Sequence, residues 1–265
     1  MNIPTLYIPH AGVPIEGEVV CKKDFTYMAL WGEFDSKYYL NLGMDMKNLI
    51  ITGNPRFQSF YNQQIKSLDE VKDMFSDRVY NFKKHKKTII LATSPFDKAS
   101  LEQLIKVVIN TLGDLNLIGN LIIKLHPSEN GIFHKQLIDK LNVNPLIIRD
   151  YNILELINSC DILISCQSSI ILEAMIIGKP IILAEFVNLG FMYIEPYAFT
   201  TKNILKVAED QTNLKEILTN LIENNIEFSN YSKWLKEKSK GFSFYDVDDP
   251  PINKIVNLIL KNIQE

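Results

Sequence analysis

Two adjacent hydroxyls, Ser168 and Ser169, and a carboxylate one helical turn on, Glu173, sit in the stretch SCDILISCQSSIILEAMIIGKPIIL. An apolar run passes there through Gln167 into a segment of helical period. Backbone N–H groups at a helix start, together with the helix dipole, favour an anion, and serine hydroxyls add donors at little steric cost. Glu173 lies four residues beyond Ser169 on the same face. It is in reach of ribose hydroxyls if a phosphate rests at the turn. A serine N-cap followed by a solvated glutamate is the plainer alternative, and these residues alone leave both open. His126 ends the run LIIKL before Pro127. A histidine there can donate to a phosphate or protonate a leaving oxygen near neutrality, or it can be a loop residue with a satisfied hydrogen bond. His10 ends LYIP and is followed by small residues that leave its ring accessible, whereas His85 and His134 fall in basic or helical contexts and read as solvated.

Such residues need elements to position them. KTIILATSP, NLIIKLHP, PLIIRD, DILISC and PIILAEF are short apolar runs that read as strands. Between them DKASLEQLIKVVINTLGDL, GIFHKQLIDKL, NILELINSC and SSIILEAMIIG have helical period, with Leu101, Leu104, Ile105, Val108 and Leu112 sharing one face. Strands so uniformly apolar are covered on both faces, and strand–helix alternation implies right-handed crossovers onto a parallel sheet. Residues 87–186 are therefore predicted to form an α/β, doubly wound parallel sheet of Rossmann-like type. In open sheets of this kind ligands bind beyond the carboxyl ends of the strands. Those ends deliver Thr93 and Ser94, His126, Asp150, the Gln167–Ser168–Ser169 turn, and Glu185.

Ahead of this sheet, PTLYIPH, FTYMALW and NLIITGN read as strands, and EFDSKYYLNLG as a helix closed by Gly43. They make an incomplete N-terminal α/β portion over residues 1–56. Residues 57–86 read as a helical connector with a basic end. The donor-side domain is expected over 87–205, including a loop with Gly190, Pro196 and Thr200–Thr201, and C-terminal helices over 206–265.

Composition narrows the class further. The chain has 265 residues, 46% hydrophobic and 22% charged, with a net charge of −3, which gives no reason to expect nucleic acid as a partner. The three cysteines, Cys21, Cys160 and Cys166, have no metal or disulfide spacing and read as reduced and buried. MNIPTLYIPHAG lacks a basic stretch followed by an apolar run, and the most apolar segment is interrupted by Glu173, Lys179 and Glu185, so a soluble cytoplasmic protein is expected. No Walker motif, G-x-G-x-x-G or G-x-S-x-G occurs, which counts against P-loop, dinucleotide and hydrolase readings. The D-x-D within DVDDP precedes a helix and reads as acidic capping rather than a metal site.

The order and spacing of KLHP at 124–127 and DILISCQSSIILEAMIIGKPII at 161–182 resembles the C-terminal half of GT-B glycosyltransferases. The nearest groups are CDP-glycerol glycerophosphotransferases, capsule-polysaccharide transferases, bacterial sialyltransferases with His-Pro and Ser-Ser motifs, and UDP-N-acetylglucosamine 2-epimerases. LYIPHAG is similar to the strand that closes their first domain, and LIITGNPRF to the segment entering the interdomain hinge. The resemblance implies a transferase moving a glycosyl or polyol-phosphate group from a CMP-, CDP- or UDP-linked donor to a carbohydrate or polyol-phosphate acceptor of a surface polysaccharide. It implies that Ser168, Ser169 and His126 hold the donor phosphates, with Thr93, Ser94 and Gln167 beside them, and that Glu173 reads the ribose. His10 would face the cleft from the first domain and deprotonate the acceptor hydroxyl or contact the transferred group, and Gly53, Asn54 and Arg56 would form the hinge, with Arg56 able to reach a phosphate. No metal and no cofactor are implied. An epimerase of the same fold is the alternative, weakened by Ser-Ser where those enzymes usually carry Ser-Gly-Gly; a non-catalytic nucleotide-binding module is another. The short first portion leads to an expectation of self-association or of a partner chain completing it, with peripheral membrane association also open.

Overall fold

The computed structural model describes residues 4–9, 25–58, 70, 73, 83, 85–166, 168–187, 203–243, 245, 246 and 248–263. The connector at 57–86, apart from its two ends and residues 70, 73 and 83, and the loop carrying Gly190, Pro196 and Thr200–Thr201 lie outside them. The chain divides into two units, residues 1–65 with 195–199 and 237–265, and residues 66–194 with 200–236.

In the first unit, β1 (Leu6–Tyr7), β2 (Tyr27–Leu30) and β3 (Leu49–Ile51) form a parallel sheet in that order. The crossover from β2 to β3 is α1 (Glu33–Asn41), and Tyr39 of that helix packs with Met28, Leu30 and Leu49 as the core. Gly43 takes φ +81° just past the helix, the left-handed stop that its type suggests. Gly32, at the start of α1, is required by a close approach: a Cβ there would lie 2.5 Å from the carbonyl oxygen of Gly241. The same carbonyl accepts the Phe34 N–H at 3.1 Å, and Phe34 stacks on Phe242 at 4.3 Å between ring centres. The segment at 241–242 thus packs on the start of α1, and the last helix, α8 (Pro251–Ile263), belongs to the same unit.

The second unit is a six-stranded sheet, all parallel, in the order β6-β5-β4-β7-β8-β9. Its strands are β4 (Ile89–Ala92), β5 (Leu121–Lys124), β6 (Leu146–Ile148), β7 (Ile162–Ser165), β8 (Ile181–Ala184) and β9 (Lys206–Ala208). The crossovers between β4 and β8 are α2 (Lys98–Asp114), α3 (Ile132–Lys140), α4 (Ile153–Ser159) and α5 (Ile170–Ile177); α6 (Gln211–Glu223) and α7 (Asn225–Ser239) follow β9. Every residue of β4, β5, β7 and β8 is buried, including Lys124 and Ser165 at the ends of otherwise apolar runs, as expected of strands covered on both faces. The predicted face of α2 is buried throughout, and Asp97 caps that helix by accepting the N–H groups of Ala99 and Ser100. Five of the six strands follow the sequence reading. The sixth, β9, does not, because an edge strand of three residues, only Ala208 of them buried, carries no apolar run to betray it.

Among the described residues no helix is long and apolar enough to cross a membrane. Cys160 and Cys166 are buried and not disulfide-bonded, and burial pushes the Cys166 thiol up to about 12. Cys21 lies outside the described residues.

Candidate functional site

Strand order reverses between β4 and β7, since successive crossovers from β4 run outward to β6 and then return to the other side of β4. Loops leaving adjacent strands in opposite directions open a crevice at such a point. The loop after β4 carries Thr93 and Ser94, and the turn after β7 carries Ser168 and Ser169. The loop after β5, the other neighbour of β4, carries His126. Gln167 lies outside the described residues, and so does His10 in the first unit.

The serine turn runs directly into α5. Ser169 occupies the N-cap position with a helical backbone, φ −61° and ψ −21°, and its side chain makes no capping hydrogen bond. The first backbone bonds run instead from Ile171 N–H to the Ser168 carbonyl and from Leu172 N–H to the Ser169 carbonyl. A capping hydroxyl needs an extended backbone to fold back onto the helix, and neither geometry nor bonding supplies that here. Both serines are half-buried. Glu173 is 2% exposed, on a helix buried over all of Ile170–Ile176, so the alternative of a solvated glutamate does not describe it.

Beneath the loops lies a polar cluster that sequence reading did not assemble. Lys124, the last residue of β5, is 8% exposed, and its Nζ donates to the Leu125 carbonyl at 2.6 Å. Burial holds its ammonium below the usual lysine range, while Asp150, Glu173 and Glu129 oppose that shift by favouring the charged form. Glu129 links two strand ends: Oε2 accepts the Thr93 hydroxyl at 2.7 Å and the His126 N–H at 2.7 Å. Oε1 lies 3.5 Å from Nε2 of His134. His134, expected to be solvated, is 2% exposed; it projects from the first turn of α3 into the core rather than to water. Burial pushes its imidazole down from the ordinary histidine value, against the pull of Glu129. Thr93 is likewise buried and spends its hydroxyl on Glu129, whereas Ser94 is half-buried. The His126 ring is exposed, with Nδ1 at 2.7 Å from Ser128 Oγ and at 3.2 Å from the Ser128 N–H.

Asp150 and Glu185 stand exposed at their strand ends, Asp150 paired with Arg149 at 2.8 Å. A pocket lined by Asn130, Gly131, Lys135, Arg149 and Tyr151 opens at the ends of β5 and β6. In the first unit, Gly53 has φ +83°, Asn54 is buried and accepts the Arg56 N–H at 3.0 Å, and the Arg56 side chain is exposed.

Of this cluster, Lys124 had a signal that could have found it, and Glu129 had none. Lys124 closes an otherwise apolar strand, and a charge at that position is either solvated or held. The S-E pair after His-Pro resembles ordinary turn composition and becomes visible only when the turn is folded.

An all-parallel sheet in this order, with a second parallel unit before it, is the GT-B class of α/β fold, and known structures agree. The chain is similar to the UDP-GlcNAc 2-epimerase from Neisseria meningitidis bound to UDP-GlcNAc, with a TM-score of 0.66 and 17% identity over 98% of this chain and 70% of that one. It is similar to the wall teichoic acid polymerase TagF, with a TM-score of 0.62 and 16% identity over 98% of this chain and 68% of that one. A third similar structure is S. aureus MnaA with UDP, at a TM-score of 0.58 and 14% identity over 91% of this chain and 61% of that one. No protein-family model and no curated protein matches the sequence.

Proposed function

We propose that the second unit binds a nucleotide-activated donor, CMP-, CDP- or UDP-linked, at the crevice between β4 and β7, and that the protein transfers a glycosyl or polyol-phosphate group to a carbohydrate or polyol-phosphate acceptor in surface-polysaccharide assembly in the cytoplasm. The observation that carries this reading is the Ser168–Ser169 turn: at the helix start the Ser169 hydroxyl makes no capping bond, and the half-buried Ser168 lies next to it. Hydroxyls and N–H groups placed so are donors for a phosphate, and the dipole of α5 adds to their pull. His126 supplies a further donor from the strand on the far side of β4, and Glu173 receives ribose hydroxyls one turn into α5. A leaving nucleotide phosphate is then neutralised by donors and dipole, with no metal required. His10 is assigned to the acceptor hydroxyl as base, and Gly53, Asn54 and Arg56 to the hinge, with the exposed Arg56 side chain in reach of a phosphate.

The neighbours support a nucleotide donor by what they are: one is bound to UDP-GlcNAc, one to UDP, and a TagF variant was soaked with CDPG. A thermal-shift panel of CMP, CDP, UDP and GDP tests the reading. A stabilisation by one or more pyrimidine nucleotides is expected, and none by any member of the panel would remove the donor site. The epimerase reading keeps its place because an epimerase matches this fold well. Incubation with UDP-GlcNAc, followed by NMR for a new epimer, separates the two; its appearance would decide for the epimerase.

A further inference from the structure

We propose that Glu129 is the positioning residue of the candidate phosphate site, and that it fixes His126 as a neutral donor through Nε2 rather than as a proton acceptor. The inference rests on the nucleotide-binding reading for its ligand, but its geometry stands apart from it. Residues 126–129 form a tight turn in which the Glu129 N–H donates to the His126 carbonyl at 2.9 Å. The Glu129 carboxylate then folds back to accept the His126 N–H at 2.7 Å, so both backbone groups of His126 are held by one residue. That carboxylate is itself anchored to the loop after β4 by the Thr93 hydroxyl and faces buried His134 with its other oxygen. Its side chain is 8% exposed, so water competes little for these bonds.

The consequence lies in the ring. The turn places the Ser128 N–H 3.2 Å from Nδ1, and a backbone N–H can only donate. Nδ1 must therefore be the accepting nitrogen, with the Ser128 hydroxyl donating to it as well at 2.7 Å. The neutral ring then carries its hydrogen on Nε2. An Nε2–H donates to an anionic oxygen, such as that of a nucleotide diphosphate, and has no lone pair there to take a proton from an acceptor hydroxyl. Thr93, on this account, serves the site through Glu129 and not by touching the donor.

The test uses the full chain labelled with nitrogen-15 in histidine, the His126 signals being assigned by their loss in His126→Asn. Wild type is expected to show a pyrrole-type Nε2 and a pyridine-type Nδ1 at neutral to mildly alkaline pH. Glu129→Ala should give a mixture of tautomers, and Glu129→Gln, which keeps a carbonyl oxygen for Thr93 and the His126 N–H, should restore the wild-type pattern. Titration calorimetry with CDP and UDP should show Glu129→Ala binding about tenfold more weakly, the loss of roughly one well-placed hydrogen bond to a charged group, with Glu129→Gln nearer wild type. An unchanged tautomer in a folded Glu129→Ala overturns the proposal. If that variant does not fold, Thr93→Val decides in its place, a mixed tautomer supporting and an unchanged one overturning. Should wild type bind neither nucleotide while the tautomer responds as expected, Glu129 is the positioning residue and the nucleotide reading is what fails.

Discussion

A serine at a helix start normally spends its oxygen on the helix, and Ser169 does not. The double variant Ser168→Ala, Ser169→Ala should therefore leave folding nearly untouched while weakening nucleotide binding by about 1–3 kcal/mol, the range for hydrogen bonds to a charged partner. Calorimetry paired with thermal melting reads both; an equal affinity in the double variant would return the serines to a plain turn. Glu173 makes a sharper case because it is buried. Its charge is one of those that favour the Lys124 ammonium, and the further use proposed for it is the ribose. Glu173→Gln should weaken CDP and UDP more than their 2′-deoxy counterparts. Equal losses for the two series would show that the carboxylate does not read the ribose.

At the scale of elements, the edge of the second sheet depends on one phenol. The Tyr231 hydroxyl, on α7, donates to the Ile181 carbonyl of β8 at 2.7 Å and accepts the Lys206 N–H of β9 at 2.9 Å. Burial pushes this phenol up from its ordinary value, so it remains a donor across the working pH range. The edge strand is short and offers few ladder bonds of its own, so this contact helps keep it paired. Tyr231→Phe leaves a part-buried N–H and a buried carbonyl without this hydroxyl, at a cost of about 1–3 kcal/mol in urea unfolding. Amide exchange should accelerate first in β9, and uniform protection across the sheet in the variant would show that α7 does not hold the edge.

Across the whole molecule, pH acts on the two units with opposite sign. In the first unit, Asp35 is 4% exposed and accepts the Trp31 N–H at 2.9 Å. Burial raises its carboxyl from 3.8 to about 7, with the Trp31 and Gly32 N–H groups opposing the shift. The folded state thus binds the proton more tightly than the unfolded state does. That contribution is complete below the unfolded value and is lost as pH rises through about 7. His134, in the second unit, has a depressed value and so loses its contribution as pH falls below the ordinary histidine range. Comparing wild type with Asp35→Asn isolates the first effect, because the amide oxygen can still accept the Trp31 N–H. The variant should melt higher than wild type at about pH 8, with the gap closing towards about pH 5. A gap independent of pH would show that Asp35 does not titrate in this window.

The chain by itself determined the parallel sheet and the positions of its polar strand ends. Apolar runs such as IILA and ILIS admit only a strand covered on both faces, and the helical period between them admits only a crossover. Ser168, Ser169 and His126 were legible for the same reason, as polar residues at the point where an apolar run stops. What the sequence could not give is which of those residues meet. Thr93, His126 and Glu129 are joined only because β4 and β5 are neighbours, and strand adjacency is a property of the folded sheet. His134 reads as a surface histidine in a polar helix and is buried because α3 turns that face inward. Gly32 and Gly241 look like ordinary loop glycines until the chain brings two segments more than two hundred residues apart into backbone contact. Local pattern fixes where a side chain leaves the backbone; burial and partnership arise from contacts between segments distant in sequence, and those only the tertiary structure decided.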